Sequence, residues 1–161
     1  MQRHKLDFGT WPENEIAGFG FYSNLQVLSL VYQLNKHPLF MFSRLKKDLC
    51  KNNTKSTFNF ILFGFSNKAL EIEFRLMENR SYTGEVFKEE PRSLFSNTRE
   101  AIGTAIGNKE GFNYFLWLES EEEEAQILEE VQAALSSLKT IRAHKELSNK
   151  QVINLKKTLN Y

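Results

Sequence analysis

FNYFLWLESEEEEAQILEEVQAALSSLKTIRAHKEL, residues 112–147, contains the change of period that decides the fold class. Phe112 to Leu118 is a short aromatic and aliphatic run, the length of a buried strand rather than of a helix. Ser120 with Glu123 three residues later has the spacing of a capping box, in which serine hydroxyl and acidic side chain satisfy each other's backbone N–H groups. Behind it Ile127, Leu128, Val131, Ala134, Leu135 and Leu138 recur at three- and four-residue steps, the apolar stripe of an amphipathic helix. From Thr140 to Leu147 the period drops to two, with Ile141, Ala143 and Leu147 alternating with Arg142, His144 and Glu146. Strand, helix, strand is the expected order. Within Phe112–Leu118 the set Phe112, Tyr114, Leu116 and Leu118 should oppose Asn113, Phe115 and Trp117, so Tyr114 is expected to pack inward with its hydroxyl hydrogen-bonded.

The N-terminal part shows the same order. Ile16 to Tyr22 reads as a glycine-punctuated buried strand, and Ser23 with Gln26 as a second capping box. Leu25, Leu28 and Tyr32, together with Val27, Val31 and Leu34, give the following helix a wide buried face, which Pro38 ends. Phe40 to Lys47 reads as the returning strand. Between the two units Thr57 to Phe65 carries apolar residues on both faces, as a central strand does, and Leu70 to Leu76 alternates with Glu71, Glu73 and Arg75. Ser66 to Ala69 would be the turn between them. From Arg80 to Gly111 the pattern weakens around Pro91 and three glycines, with a short helix near Asn97 and Glu100. These elements predict an α+β two-layer sandwich: a mostly antiparallel sheet and two main helices from two strand-helix-strand units. Residues 1–161 would form a single domain, with 148–161 a loosely docked C-terminal tail.

Composition narrows the function classes. Fourteen phenylalanines supply core, and a lone cysteine, Cys50, excludes an intramolecular disulfide and any cysteine cage for a metal. The N-terminus lacks the apolar stretch of a secretion signal, and Phe58 to Phe65 is far shorter than the ~20 residues that cross a bilayer. A soluble, cytoplasmic protein is therefore expected. Net charge is +1, yet Glu119 to Glu130 holds seven glutamates, whereas Lys139 to Tyr161 holds six basic residues against Glu146 alone. In the first turn of a helix, the run Glu121 to Glu124 is stabilised by the macrodipole at a few tenths of a kcal/mol each, which accounts for it without a ligand.

His4, Lys5, Leu6 and Asp7, and later Leu34, Asn35 and Lys36 followed by Arg44, Lys46, Lys47, Asp48 and Leu49, resemble a small family of bacterial proteins named for its signature, the IPExxxVDY family. The signature position reads Ile106 to Tyr114. Ile106 and Tyr114 match; Gly107 and Asn108 replace Pro and Glu, Phe112 replaces Val and Asn113 replaces Asp, so no carboxylate role carries over. The resemblance spans most of the chain and implies a bacterial cytosol, but it brings no assigned activity.

No catalytic or metal-binding motif stands out. His4, His37 and His144 lack partners at ligand spacing, Gly18 and Gly20 sit within a strand without the third glycine of a dinucleotide loop, and Gly103 and Gly107 lack the lysine of a phosphate loop. No metal and no cofactor are expected. Cys50 reads as a structural thiol. The leading expectation is a non-enzymatic interaction or adaptor domain, binding a protein partner or a second copy of itself. Its candidate contacts are Asn108, Lys109 and Asn113 on the polar rim Ile106 to Gly111. The alternative is an RNA-associated accessory protein. Arg44, Lys46 and Lys47 would then touch phosphates, with Lys51 and Lys55 beside them and a second basic stretch of Arg142, Lys145, Lys150, Lys156 and Lys157. A further alternative is a small enzyme with a site assembled from Asn113, Tyr114 and His144.

Overall fold

The computed structural model describes residues 15–52, 56–86, 103–105, 111–120 and 125–159. In order these form β1 (Glu15–Ser23), α1 (Val27–Leu34), β2 (Ser43–Arg44), β3 (Leu49–Asn52), β4 (Ser56–Phe60), β5 (Leu62–Asn67), β6 (Ile72–Glu78), β7 (Thr83–Val86), β8 (Tyr114–Ser120), α2 (Ala125–Ser137), β9 (Ile141–Leu147) and α3 (Asn149–Thr158). Six strands pair in the order β2-β5-β6-β8-β1-β9, and β3-β4-β7 make a smaller sheet. Every pairing is antiparallel. The fold is α+β, as the two strand-helix-strand units predict.

The centre of the main sheet is β8, whose first five residues are buried. Alternation sends Tyr114, Leu116 and Leu118 to one face, where α1 and α2 contribute Leu30, Val31, Leu34, Val131 and Leu135. Phe115 and Trp117 go to the other face, beneath α3 and the small sheet. The expected sandwich of sheet and two helices is thus present, and a further layer covers its second face.

Several expectations are corrected. The run Thr57–Phe65 is not one central strand: it breaks at Ile61, so Phe60 belongs to β4 in the small sheet and Leu62 opens β5 in the large one. A run apolar on both faces is what a strand that changes sheets also requires. Of Phe40 to Lys47 only Ser43 and Arg44 form a strand, because the Asn35 side chain takes both backbone groups of Phe42 at 2.8 Å and Phe40 and Phe42 bury beneath α1. The Ser23–Gln26 capping box is absent: α1 starts after Gln26 with no side-chain cap, and the Ser23 hydroxyl accepts instead from Leu25 N–H. β6 starts at Ile72, not Leu70, after a turn in which Glu71 has φ 54°. Phe112 lies with Phe115 and Trp117 rather than opposite them. The capping residues Glu121 to Glu124 and the short helix near Asn97 and Glu100 fall outside the described residues.

Residues 148–161 were expected to dock loosely, yet 149–158 form α3 with Val152 and Leu155 fully buried and Leu159 beside them. Ser148 and Gln151 cap it reciprocally. The glycines of β1 make room for this layer. A Cβ on Gly18 would stand 2.9 Å from Val152, and one on Gly20 would stand 2.5 Å from the Phe112 ring. A carboxylate then pins the helix: Glu119 holds Lys156 Nζ at 2.9 Å and accepts from Trp117 Nε1 at 3.1 Å.

Candidate functional site

Asn113 and Tyr114 stand where β8 meets the β1–α1 connection. The Asn113 backbone donates to Phe21 and accepts from Asn79, carrying the ladder one residue past β8 on both sides. Its side-chain oxygen accepts from Ser23 N–H at 3.0 Å while its amide nitrogen donates to the Ser23 carbonyl at 2.7 Å. The amide therefore mimics a strand residue and closes the last β1 pairing, where the Ser23 residue is only 1% exposed. Tyr114 packs inward as expected, its ring 5.5 Å from that of Phe21 and its hydroxyl donating to the Leu25 carbonyl at 2.6 Å. Burial, reinforced by the negative charge of Glu78, holds its phenol above the ordinary value. Glu78 is itself raised by burial, against an opposing pull from Arg80.

These bonds anchor the chain entering α1, and they also decide the catalytic alternative. His144 and Tyr114 flank Phe21 on the two neighbouring strands, in register on the same face. Two strand spacings of ~4.8 Å separate them, with the Phe21 ring between. His144 instead lies 3.3 Å from the Ser136 hydroxyl, which donates to Gln132. Asn113, Tyr114 and His144 do not converge. Among the described residues no group of three His, Cys, Asp or Glu could hold a metal ion.

The two basic stretches do not meet. Arg44 lies on β2 and Arg142 and Lys145 on β9, opposite edges of the six-stranded sheet, five spacings or about 24 Å apart. Arg44 is paired with Asp48 at 3.1 Å, and Asp48 also accepts from Tyr82. Lys46 and Lys47 are exposed, and Lys51 is used on the carbonyls of Thr104 and Ala105. Lys156 points inward to Glu119. Of the candidate partner contacts, Asn108 and Lys109 lie outside the described residues, and Asn113 spends both amide groups on Ser23.

The most open apolar surface is the outer side of α1. Leu30, Val31 and Leu34 face the core, while Leu28 and Tyr32, one turn apart, are 69% and 64% exposed. The Lys36 ammonium sits 4.6 Å from the Tyr32 ring centre, a cation–π contact that leaves the rest of the ring open. Met41, turned outward between buried Phe40 and Phe42, is 75% exposed. Sequence reading placed Leu28 and Tyr32 in the core. Each lies two residues, about 200°, from Leu30, so they mark the opposite side of the helix. An eight-residue helix apolar on both sides was the signal.

No family model, curated protein or solved structure matches the chain. No helix of the described residues is long and apolar enough to cross a membrane.

Proposed function

We propose that this chain is a non-enzymatic interaction domain of the bacterial cytosol that binds a protein partner through the outer face of α1. The observation that carries the reading is the Leu28–Tyr32 pair, exposed one turn apart on a helix whose other side is anchored in the core. Side chains at i and i+4 are what an amphipathic helix offers to a groove or to another helix. The anchoring supports it too. Tyr114 and Asn113 fix the chain on either side of Leu25, and Asn35 fixes the helix exit, so the face is presented rigidly. Rigid presentation lowers the ordering cost of association. The resemblance to the IPExxxVDY family belongs to the same reading, since its signature position, Ile106 to Tyr114, runs into the strand that holds α1 in place.

The test is affinity capture from cytosol with the wild-type chain and with a Leu28→Asp, Tyr32→Asp variant, each with and without ribonuclease. Exposed substitutions change stability by about 0.5 kcal/mol or less, so the variant keeps its denaturation midpoint. The expected result is a protein retained by wild type after ribonuclease and lost by the variant. Retention that ribonuclease abolishes, and that needs Lys46 and Lys47 rather than Leu28 and Tyr32, would establish the RNA-associated alternative.

A further inference from the structure

Among the described residues β9 pairs on one side only, with β1, leaving the backbone groups of its other edge without a strand partner. Seven-residue edge strands are templates for pairing with another chain, and proteins guard them with charges and bulges. β9 carries both devices: Lys145 is exposed, and the register slips between Tyr22 and Ser23, so that Arg142 is the extra residue of a bulge. Such a guard excludes most partners. A partner that matches its charges is still admitted.

We infer that the partner of this edge is a second copy of the chain, paired antiparallel about a two-fold axis through His144. This deepens the interaction reading above by naming one partner, at a surface separate from α1. Two identical edges can join into one continuous antiparallel sheet only about a two-fold axis normal to the sheet. With the axis at His144, Arg142 of each copy falls opposite Glu146 of the other, Ile141 opposite Leu147, and Ala143 opposite Lys145. Arg142 and Glu146 are both exposed, and neither has an ion-pair partner among the described residues. Neighbouring registers lose this match. Moving the axis to Lys145 sets that lysine against itself, and moving it to Ala143 leaves Glu146 opposite Thr140. Because of the bulge, the regular ladder runs from Ala143 to Lys145 of each copy, and the two Arg142–Glu146 pairs flank it. The product is a continuous sheet of twelve strands built from two sheets of six. Its short ladder makes the association weak and dependent on salt.

Charge reversal tests it. Arg142→Glu alone sets glutamate against glutamate at both ends, and Glu146→Arg alone sets arginine against arginine. Each should weaken self-association in sedimentation equilibrium by roughly tenfold or more, given ~0.2–1 kcal/mol for each cross-strand pair and a similar penalty for like charges. Mixing the two single variants places glutamates opposite arginines at both ends. A heterodimer should then appear in an equimolar mixture at concentrations where each variant alone is monomeric, and the double variant Arg142→Glu, Glu146→Arg should regain wild-type association. A wild-type chain that stays monomeric at millimolar concentration, or a mixture that stays monomeric, would overturn the inference. Circular dichroism of each variant confirms folding, and the heterodimer arm rescues function from two variants that each failed. Capture of a partner through Leu28 and Tyr32 should be the same for wild type and Arg142→Glu, so failure of one surface is distinguishable from failure of the other.

Discussion

Replacing Asn113 with alanine separates a structural role for this residue from a partner-contacting one. Its side chain makes two hydrogen bonds to the backbone of Ser23, at 3.0 and 2.7 Å, and Ser23 is buried. Each bond contributes about 0.5–1.5 kcal/mol net, and a buried donor or acceptor left unmatched costs ~1–3 kcal/mol. Water reaching one of the two freed groups offsets part of this, so the expected loss in urea unfolding is ~3 kcal/mol. At ~2–4 °C per kcal/mol for a chain of this size, the thermal midpoint falls by roughly 6–12 °C. Asn113→Asp sharpens the test, because the carboxylate can still accept from Ser23 N–H but repels the Ser23 carbonyl. The protonated acid can donate to that carbonyl, so its folded pKa is raised. A group raised in this way stabilises below its unfolded value of ~3.9 and loses the contribution as pH rises through the folded value. The deficit of the variant relative to wild type should therefore be largest at neutral and higher pH and shrink toward pH 4. A loss below ~0.5 kcal/mol for Asn113→Ala would refute the reasoning and leave the residue available as a partner contact.

Other substitutions report on neighbouring contacts. Tyr114→Phe removes the donor to the Leu25 carbonyl and should cost ~1–3 kcal/mol. In alkaline titration followed by phenolate absorbance, the Tyr114 phenol should resist ionisation until the chain unfolds, because its raised value favours the neutral form in the fold; that stabilising contribution is present below pH ~10 and lost above it. Titration of every tyrosine near pH 10 in the folded protein would contradict this burial. Gly20→Ala drives a methyl into the Phe112 ring and should cost ~1–3 kcal/mol by overpacking, against no loss if β1 and Phe112 separate freely. Leu155→Ala should cost ~2–5 kcal/mol, and a change near zero would mean that α3 is loosely held after all.

Much of the fold could be read where one residue pattern has one structural meaning. The alternation from Phe112 to Leu118, the stripe of α2 and the alternation of β9 all lead to the elements observed, and the inward Tyr114 follows from strand period alone. The errors occur where one pattern suits two structures. A run apolar on both faces fits a central strand and equally a strand changing sheets at Ile61. A serine three residues before glutamine caps α3 at Ser148, yet at Ser23 the same spacing fails because Asn113 already holds the backbone there. Local spacing cannot reveal a competitor ninety residues away. The open face of α1 was present in the sequence as surplus apolar residues, but only the positions of Leu30 and Leu34 against the sheet show which side is surplus.

The central claim is that the outer face of α1 binds a protein. A photoreactive amino acid placed at Tyr32, and in a separate chain at Lys46 on the basic segment after β2, tests it in cells without disturbing either core. The account predicts a discrete, ribonuclease-resistant protein adduct at position 32 that Leu28→Asp removes. An adduct formed only at position 46, and digested by ribonuclease, would contradict it.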